Sequence, residues 1–324
     1  MTNNALTVLI TDYAYDDVSI ETDILTPLGY QLTALKAGKD QALFDAVRDA
    51  DAVITQFAAI DASVIGAMRK CRVIVRYGIG VDNVDLAAAA DKGIPVCNVP
   101  DYCIDEVADH TLALMLCATR QIVPCNNVIK SGTWKLPVPL TSLKALKYLT
   151  VGLVGFGRIG REVAARLQPF KCRILVYDPA CSADAVREAH CVPATLDAVL
   201  SESDLLSLHC PSTEQTRYLL NAASIETMKP GAILVNASRG TLVQTEALIM
   251  ALKSGQLSAA AMDVTDPEPI NADNELLTFD SVVITPHVAS ATLQSMVKLR
   301  TDAAGLAVLA LRGDKLLNIV NGVR

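Results

Sequence analysis

At 324 residues the chain is long enough for two domains of roughly 150 residues each. Hydrophobic residues make up 51% and charged residues 19%, which excludes a disordered chain. The net charge is −7, from 28 Lys and Arg against 35 Asp and Glu, with no basic block, which argues against direct nucleic-acid binding. The opening MTNNALTVLITD has no basic region and meets Asp12 early, so it does not read as a secretory signal. Leu112–Ala118 is the most membrane-like stretch. It lies between His110 and Arg120, far short of the ~20 apolar residues of a span, so no membrane partner is expected. Nine cysteines, an odd number without a CxxC pair, read as reduced thiols of a cytoplasmic protein, and no Cys/His cluster has metal-ligand spacing.

In chain order, the first hundred residues alternate short apolar runs with helix-like stretches. VLIT (8–11) precedes a helical stretch near 19–27, and YQLTAL (30–35) precedes another near 40–48. AVIT (52–55), VIVR (73–76) and PVCN (95–98) follow. Runs of this length between helices imply a parallel, doubly wound α/β sheet. The period changes over 101–129, which reads as one long amphipathic helix, and SGTWKLPVPL (131–140) reads as a surface connection. A second α/β series starts at LTVGLVGFG (149–157). Its further strands are RILVYD (173–178), DLLSLHC (204–210), AILVNAS (232–238), AAAMDV (259–264) and SVVITPH (281–287). The stretch 291–311 is apolar and helical. The fold class is therefore α/β, with two doubly wound, Rossmann-like parallel sheets.

GFGRIG places Gly155, Gly157 and Gly160 between the apolar strand VGLVG and the helical REVAARL, with Arg158 and Ile159 opening the helix. Asp178 follows Gly160 by 18 residues at the end of the next strand, close to the ~20 of a dinucleotide fingerprint. Gly155 permits the tight turn, Gly157 the approach of a pyrophosphate, and Gly160 the packing of helix on strand. The helix N-terminus offers N–H groups to phosphate. Asp178 would accept hydrogen bonds from a ribose and repel a 2′-phosphate, and Pro179 and Ala180 supply no arginine beside it, so NAD is favoured over NADP.

Ligands of doubly wound sheets sit at the carboxyl ends of the strands. His209, Arg239, Asp263, Glu268 and His287 all follow apolar runs of the second series. Arginine grips a carboxylate with two points, histidine passes a proton near neutral pH, and a glutamate beside it favours the imidazolium. His209 and His287 look alike locally, and periodicity does not rank them. His110 and His190 read as structural.

Several blocks together resemble the D-isomer-specific 2-hydroxyacid dehydrogenases, in that family's order and over nearly the whole chain. They are RYGIGVDNVD (76–85), VPDYCIDEVADHTLALML (99–116), GLVGFGRIG (152–160), HCPST (209–213), MKPGAILVNASRG (228–240), MDV with PEP (262–269) and TPHVAS (285–290). The nearest motifs are those of phosphoglycerate dehydrogenase-like and C-terminal-binding-protein-like members. The resemblance implies an NAD-dependent interconversion of a D-2-hydroxyacid and a 2-oxoacid. It assigns Arg239 to the substrate's carboxylate and carbonyl, His287 rather than His209 to proton transfer, and Glu268 to the histidine. Asp263 falls near the nicotinamide carboxamide, and the amides of Gly78, Ile79 and Gly80 meet the substrate carboxylate. It further implies a substrate domain of 1–100 plus 291–324, an inserted NAD domain of 101–290 with a cleft between them, and a homodimer through the cofactor domains, helped by the helix near 103–127.

The departures from the family pattern are local. RGTLVQTEAL puts Thr241 and Gln244 where RGGLVD is frequent. Phosphoglycerate dehydrogenases tend to carry an arginine where this chain has Thr55 and Gln56, which favours a small 2-oxo monocarboxylate without phosphate. The regulatory domains of some of those enzymes are not expected beyond Arg324. Gln56, Phe57, Tyr77 and Tyr102 are candidates for the pocket lining. The rival readings are a phosphoglycerate dehydrogenase proper and an NAD(H)-sensing, corepressor-like binding protein.

Overall fold

The computed structural model describes residues 5–36 and 41–323. The N-terminal residues 1–4 and residue 40 of the helix expected near 40–48 lie outside the described residues. The chain divides into two compact units, 1–102 with 292–324, and 103–291.

The first unit holds five strands: β1 (Thr7–Ile10), β2 (Gln31–Ala34), β3 (Ala52–Thr55), β4 (Ile74–Arg76) and β5 (Val96–Cys97). They form a parallel sheet in the order β2-β1-β3-β4-β5. Side chains alternate across a strand, so Val8 and Ile10 enter one buried cluster and Leu9 the other. The C-terminal helix Leu293–Arg312 packs on the first of these faces through Leu299, Ala303 and Leu306. Its Arg300 reaches the buried Glu21 with Nε at 2.8 Å and Nη2 at 2.6 Å, and the Tyr77 hydroxyl donates to the same carboxylate at 2.8 Å.

The second unit contains β6 (Thr150–Val154), β7 (Arg173–Tyr177), β8 (Val192–Pro193), β9 (Leu205–Leu208), β10 (Ala232–Asn236), β11 (Leu257–Met262) and β12 (Val282–Ile284). These are parallel in the order β12-β11-β10-β9-β6-β7-β8. Both faces are covered, with Leu205 in one apolar cluster and Leu206 in the other. Each fully buried leucine or valine on these strands contributes about 1.5–3 kcal/mol. The chain runs outward from β6 through β8, then returns to place β9 on β6's other side. That reversal is the topological switch point at which such sheets bind ligands.

The expected single helix over 101–129 is instead two helices, Ile104–Arg120 and Ile122–Lys130, bent by 65°. Gln121 between them is left-handed, at φ 51°. Pro124 supplies the reason, because its ring would strike the carbonyl of Arg120 and it has no N–H to continue the ladder. The first helix buries Val107, Ala108, Leu114, Met115 and Ala118. The two-residue edge strand β8 carries no periodic signal that would mark it in the sequence. Among the described residues no single helix is long and apolar enough to cross a membrane.

Candidate active site

The glycine turn sits at the switch point. Gly155 follows β6 with φ +99°, and a Cβ there would stand 2.5 Å from the His209 backbone, just after β9. A Cβ on Gly160 would meet the Gly155 carbonyl oxygen at 2.4 Å, so the helix Arg158–Leu167 lies directly on the turn. Gly157 differs, since a Cβ there would enter open space at the mouth of that helix. Among the described residues nothing demands glycine at 157, whereas the close approach of a pyrophosphate would. Arg158, Ile159 and Gly160 form the helix's first turn, and Gly157 at its N-cap contributes no side-chain cap. Asp178 binds the turn itself, its two oxygens accepting from the Phe156 N–H at 2.6 Å and the Ala180 N–H at 2.8 Å. Each carboxylate oxygen has a second lone pair, so acceptor capacity remains for ribose hydroxyls. These residues fit a dinucleotide.

The structure brings Arg239, Glu268, Asp263 and His287 to the carboxyl ends of β10, β11 and β12. The Glu268 carboxylate faces His287 Nδ1 at 2.5 Å, and both side chains are about two-fifths exposed, at 43% and 41%. An ion pair this exposed adds little stability, so its effect is to orient the ring and leave Nε2 as the outward nitrogen. Burial acts to raise the Glu268 carboxyl. The hydrogen bond and charge of His287, the Thr265 amide and the charge of Arg239 outweigh it and hold the group below its ordinary value. The loop carrying Glu268 is held by Thr245, whose hydroxyl donates to the Asp266 carbonyl at 2.6 Å, and by Tyr218, whose hydroxyl reaches Asp266 Oδ2 at 3.1 Å. It also lies against the arginine turn, because a Cβ on Gly240 would overlap the Thr265 carbonyl at 1.9 Å. Arg239 Nη1 donates to the Ser238 carbonyl at 2.8 Å, and Asn236 Nδ2 donates to the Arg239 carbonyl at 2.9 Å.

His209 has a different setting. Burial pushes its imidazole down to about 4, and its Nε2 lies 2.9 Å from the Ser207 hydroxyl. A ring neutral at pH 7 and turned into the sheet is a poor proton donor, so the local environment separates two histidines that look alike in sequence. Asp263 is 1% exposed, and its carboxylate accepts from the amides of Val288 at 3.0 Å and Ala289 at 2.9 Å and from the Thr285 hydroxyl at 2.5 Å. His110, expected to be structural, lies 3.0 Å from that hydroxyl. Sequence reasoning gave Thr285 no role, although it stands two residues before His287.

In the first unit, the Gly78 amide donates to the Arg76 carbonyl at 2.9 Å and is taken up by the turn. Among the described residues no acceptor meets the N–H of Ile79 or Gly80. Tyr77 is 1% exposed, its ring edge-on to Tyr15 and its hydroxyl on Glu21, so it belongs to the core and does not line a pocket. Gln56 cross-links the unit instead. Its Oε1 accepts from the Ala14 N–H at 2.8 Å and its own N–H donates to Asp12 at 3.0 Å, while Phe57 beside it is 62% exposed.

Comparison with known proteins agrees with this architecture. Residues 112–289 match the family model described as D-isomer specific 2-hydroxyacid dehydrogenase, NAD binding domain. A glyoxylate reductase of Thermofilum pendens is 38% identical over 85% of this chain and 82% of its own. A D-3-phosphoglycerate dehydrogenase of Archaeoglobus fulgidus is 37% identical over 83% of this chain but 51% of its own. The crystal structure of D-lactate dehydrogenase from Aquifex aeolicus, complexed with NAD and lactic acid, superposes with a TM-score of 0.86 at 28% identity, covering 95% of this chain and 96% of that one. The chain belongs to the D-isomer-specific 2-hydroxyacid dehydrogenases and is an NAD-dependent oxidoreductase.

Proposed function

We propose that the protein reduces a small 2-oxo monocarboxylate to the D-2-hydroxyacid, or runs the reverse reaction, with His287 as proton donor and acceptor. The observation carrying this reading is the 2.5 Å contact between His287 Nδ1 and Glu268 at the carboxyl edge of β11 and β12. Bound NADH supplies the hydride. Arg239 holds the substrate's carboxylate and polarises its carbonyl, through charge-assisted bonds worth about 1.5–3 kcal/mol each. In the first unit, the Ile79 and Gly80 amides are left open to an anion such as a carboxylate. His287 Nε2 gives its proton to the carbonyl oxygen as the alcohol forms, and Glu268 on Nδ1 keeps the imidazolium available. Gly155, Gly157, Arg158, Ile159 and Gly160 would hold the cofactor's pyrophosphate, Asp178 its adenosine ribose, and Asp263 would serve its nicotinamide end.

The net charge of −7 gives anions no general attraction, so binding is local to these groups. Thr55 and Gln56 offer no cation for a phosphate, and Gln56 is already bonded to Ala14. The phosphoglycerate dehydrogenase relative keeps a phosphorylated substrate as the second reading. A turnover panel with NADH and glyoxylate, pyruvate, hydroxypyruvate, phenylpyruvate or phosphohydroxypyruvate separates them. An unphosphorylated acid is expected to lead. A tenfold advantage for the phosphorylated one reverses the order, and no turnover with any of them favours a cofactor-sensing binding protein. The nine cysteines, an odd number without a CxxC pair, support action in a reducing compartment, the cytoplasm.

The same unit supports homodimerisation. Ile122, Ile129, Trp134, Leu140 and Tyr148 are exposed at 53%, 45%, 92%, 75% and 80%, all in the segment after the helix Ile104–Arg120. Such surface is normally covered in an assembly. The contact is therefore read on 122–148 rather than on the preceding helix, whose apolar side faces its own core.

A further inference from the structure

The second unit contains a chain of polar contacts that ends on the turn carrying His287. Asp263 closes β11 and is 1% exposed. Its Oδ1 accepts from the Val288 N–H at 3.0 Å, its Oδ2 from the Ala289 N–H at 2.9 Å, and its main-chain carbonyl from the His287 N–H at 2.8 Å. One aspartate therefore holds three successive amides. His287 itself is left-handed, at φ 53°, a conformation unfavourable to a non-glycine residue that persists only where surroundings impose it.

The direction of the remaining bonds follows from proton counting. A carboxylate only accepts, so the Thr285 hydroxyl, 2.5 Å from Asp263 Oδ1, donates its single proton there. Thr285 Oγ1 lies 3.0 Å from His110 Nε2 and, its own proton spent, must accept from it, while the same Nε2 stands 3.5 Å from Asp263 Oδ1. His110 therefore carries its proton on Nε2. It stands on the helix Ile104–Arg120, which is tied to the neighbouring helix by Arg166 through Asp105 and Asp109, each at 2.6 Å.

We propose that His110 is a positioning residue for the reaction: through Thr285 it fixes Asp263, and through Asp263 it fixes the turn that aims His287 at Glu268. The relay has three links, His110 Nε2–H to Thr285 Oγ1, Thr285 O–H to Asp263 Oδ1, and Asp263 to the amides of 287–289. Without the first link the threonine hydroxyl is free to rotate, Asp263 loses a directed donor, and the turn gains freedom where the ring must be held to a few tenths of an ångström. This inference rests on reading His287 as the proton donor.

The test uses full-length His110→Leu, His110→Gln, Thr285→Val and the Leu/Val double variant. They are assayed with glyoxylate at saturating NADH, well below their melting temperatures, with His287→Asn in parallel. Misplacing a reacting group by about 1 Å costs up to ~10²-fold in rate. His110→Leu and Thr285→Val are expected to lose ~10–100-fold in kcat with KM changed little. Gln, whose amide N–H can replace the Nε2 donor, is expected to recover most of the loss. The double variant is expected to fall no further than the worse single variant, because both cut one relay. Imidazole 15N NMR is expected to show His110 as the Nε2–H tautomer and the His287 resonances perturbed in Thr285→Val. A His110→Leu enzyme within twofold of wild-type kcat, losses that multiply in the double variant, or an Nδ1–H tautomer would overturn the proposal. Full activity in His287→Asn instead removes the proton-donor reading. The NMR result does not depend on that reading and separates the two failures.

Discussion

At the scale of single residues, environment outweighs identity. His209 and His287 both follow apolar runs, yet one is pushed down to about 4 by burial while the other stands in the open against a carboxylate. The folded His209 pKa lies below its ordinary 6.5, so the unfolded chain binds more protons between those values. Its contribution is therefore complete above pH 6.5 and lost as the pH falls towards 4, a loss of about 3 kcal/mol at most. His209→Asn should flatten the dependence of urea-derived stability on pH across that window, and a slope equal to wild type would contradict the assignment. His287→Asn should lower kcat by ~10²–10⁴-fold without weakening NADH binding, as measured by fluorescence titration. Asp178 holds the Phe156 amide and, on the proposed reading, also meets the adenosine ribose. Asp178→Ser should narrow the preference for NADH over NADPH by about tenfold or more, equivalent to ~1.4 kcal/mol. An unchanged ratio of catalytic efficiencies would remove the carboxylate from cofactor choice.

At the scale of elements, the candidate site depends on loops that touch. The arginine turn after β10 and the glutamate loop after β11 meet where Gly240 lies on Thr265, with no room for a methyl group. Gly240→Ala should push the two apart, separating Arg239 from Glu268. A kcat loss of ~10²-fold is expected, with the far-ultraviolet spectrum retained. Activity near wild type would mean that the loops move independently. If Glu268 acts through the ring it holds, Glu268→Gln should move the pH at which reduction declines to a lower value by withdrawing a charge that favours the imidazolium. The sign is fixed, and a shift to higher pH would contradict the pairing. The kink at Gln121 illustrates the limit of a periodic reading. Apolar spacing continues through 101–129, but one proline at 124 ends the hydrogen-bond ladder and redirects the following helix.

At the scale of the whole molecule, the stretch 122–148 leaves large apolar side chains, among them Trp134, Leu140 and Tyr148, exposed. If it covers its equivalent on a second copy, wild-type protein sediments as a dimer. A Trp134→Asp, Tyr148→Asp variant should then sediment as a monomer with its circular dichroism unchanged. A monomeric wild type would remove the dimer from the reading.

The sequence by itself determined the two parallel sheets, the place of the dinucleotide turn and the set of polar residues at the strand ends. These are local properties. Four- to six-residue apolar runs must be buried on both faces, and GFGRIG between strand and helix leaves few alternatives. The tertiary structure decided matters that depend on groups distant in the chain. It put Tyr77 against Glu21 and Arg300, 56 residues and more away, and so withdrew it from any pocket. It separated His209 from His287 by burial, which no spacing encodes. It also joined His110 to Thr285 across 175 residues, because only folding packs the helix Ile104–Arg120 against the ends of β11 and β12. A hydrogen-bond network is a property of converging elements, and its members carry no periodicity by which a sequence reader could select them.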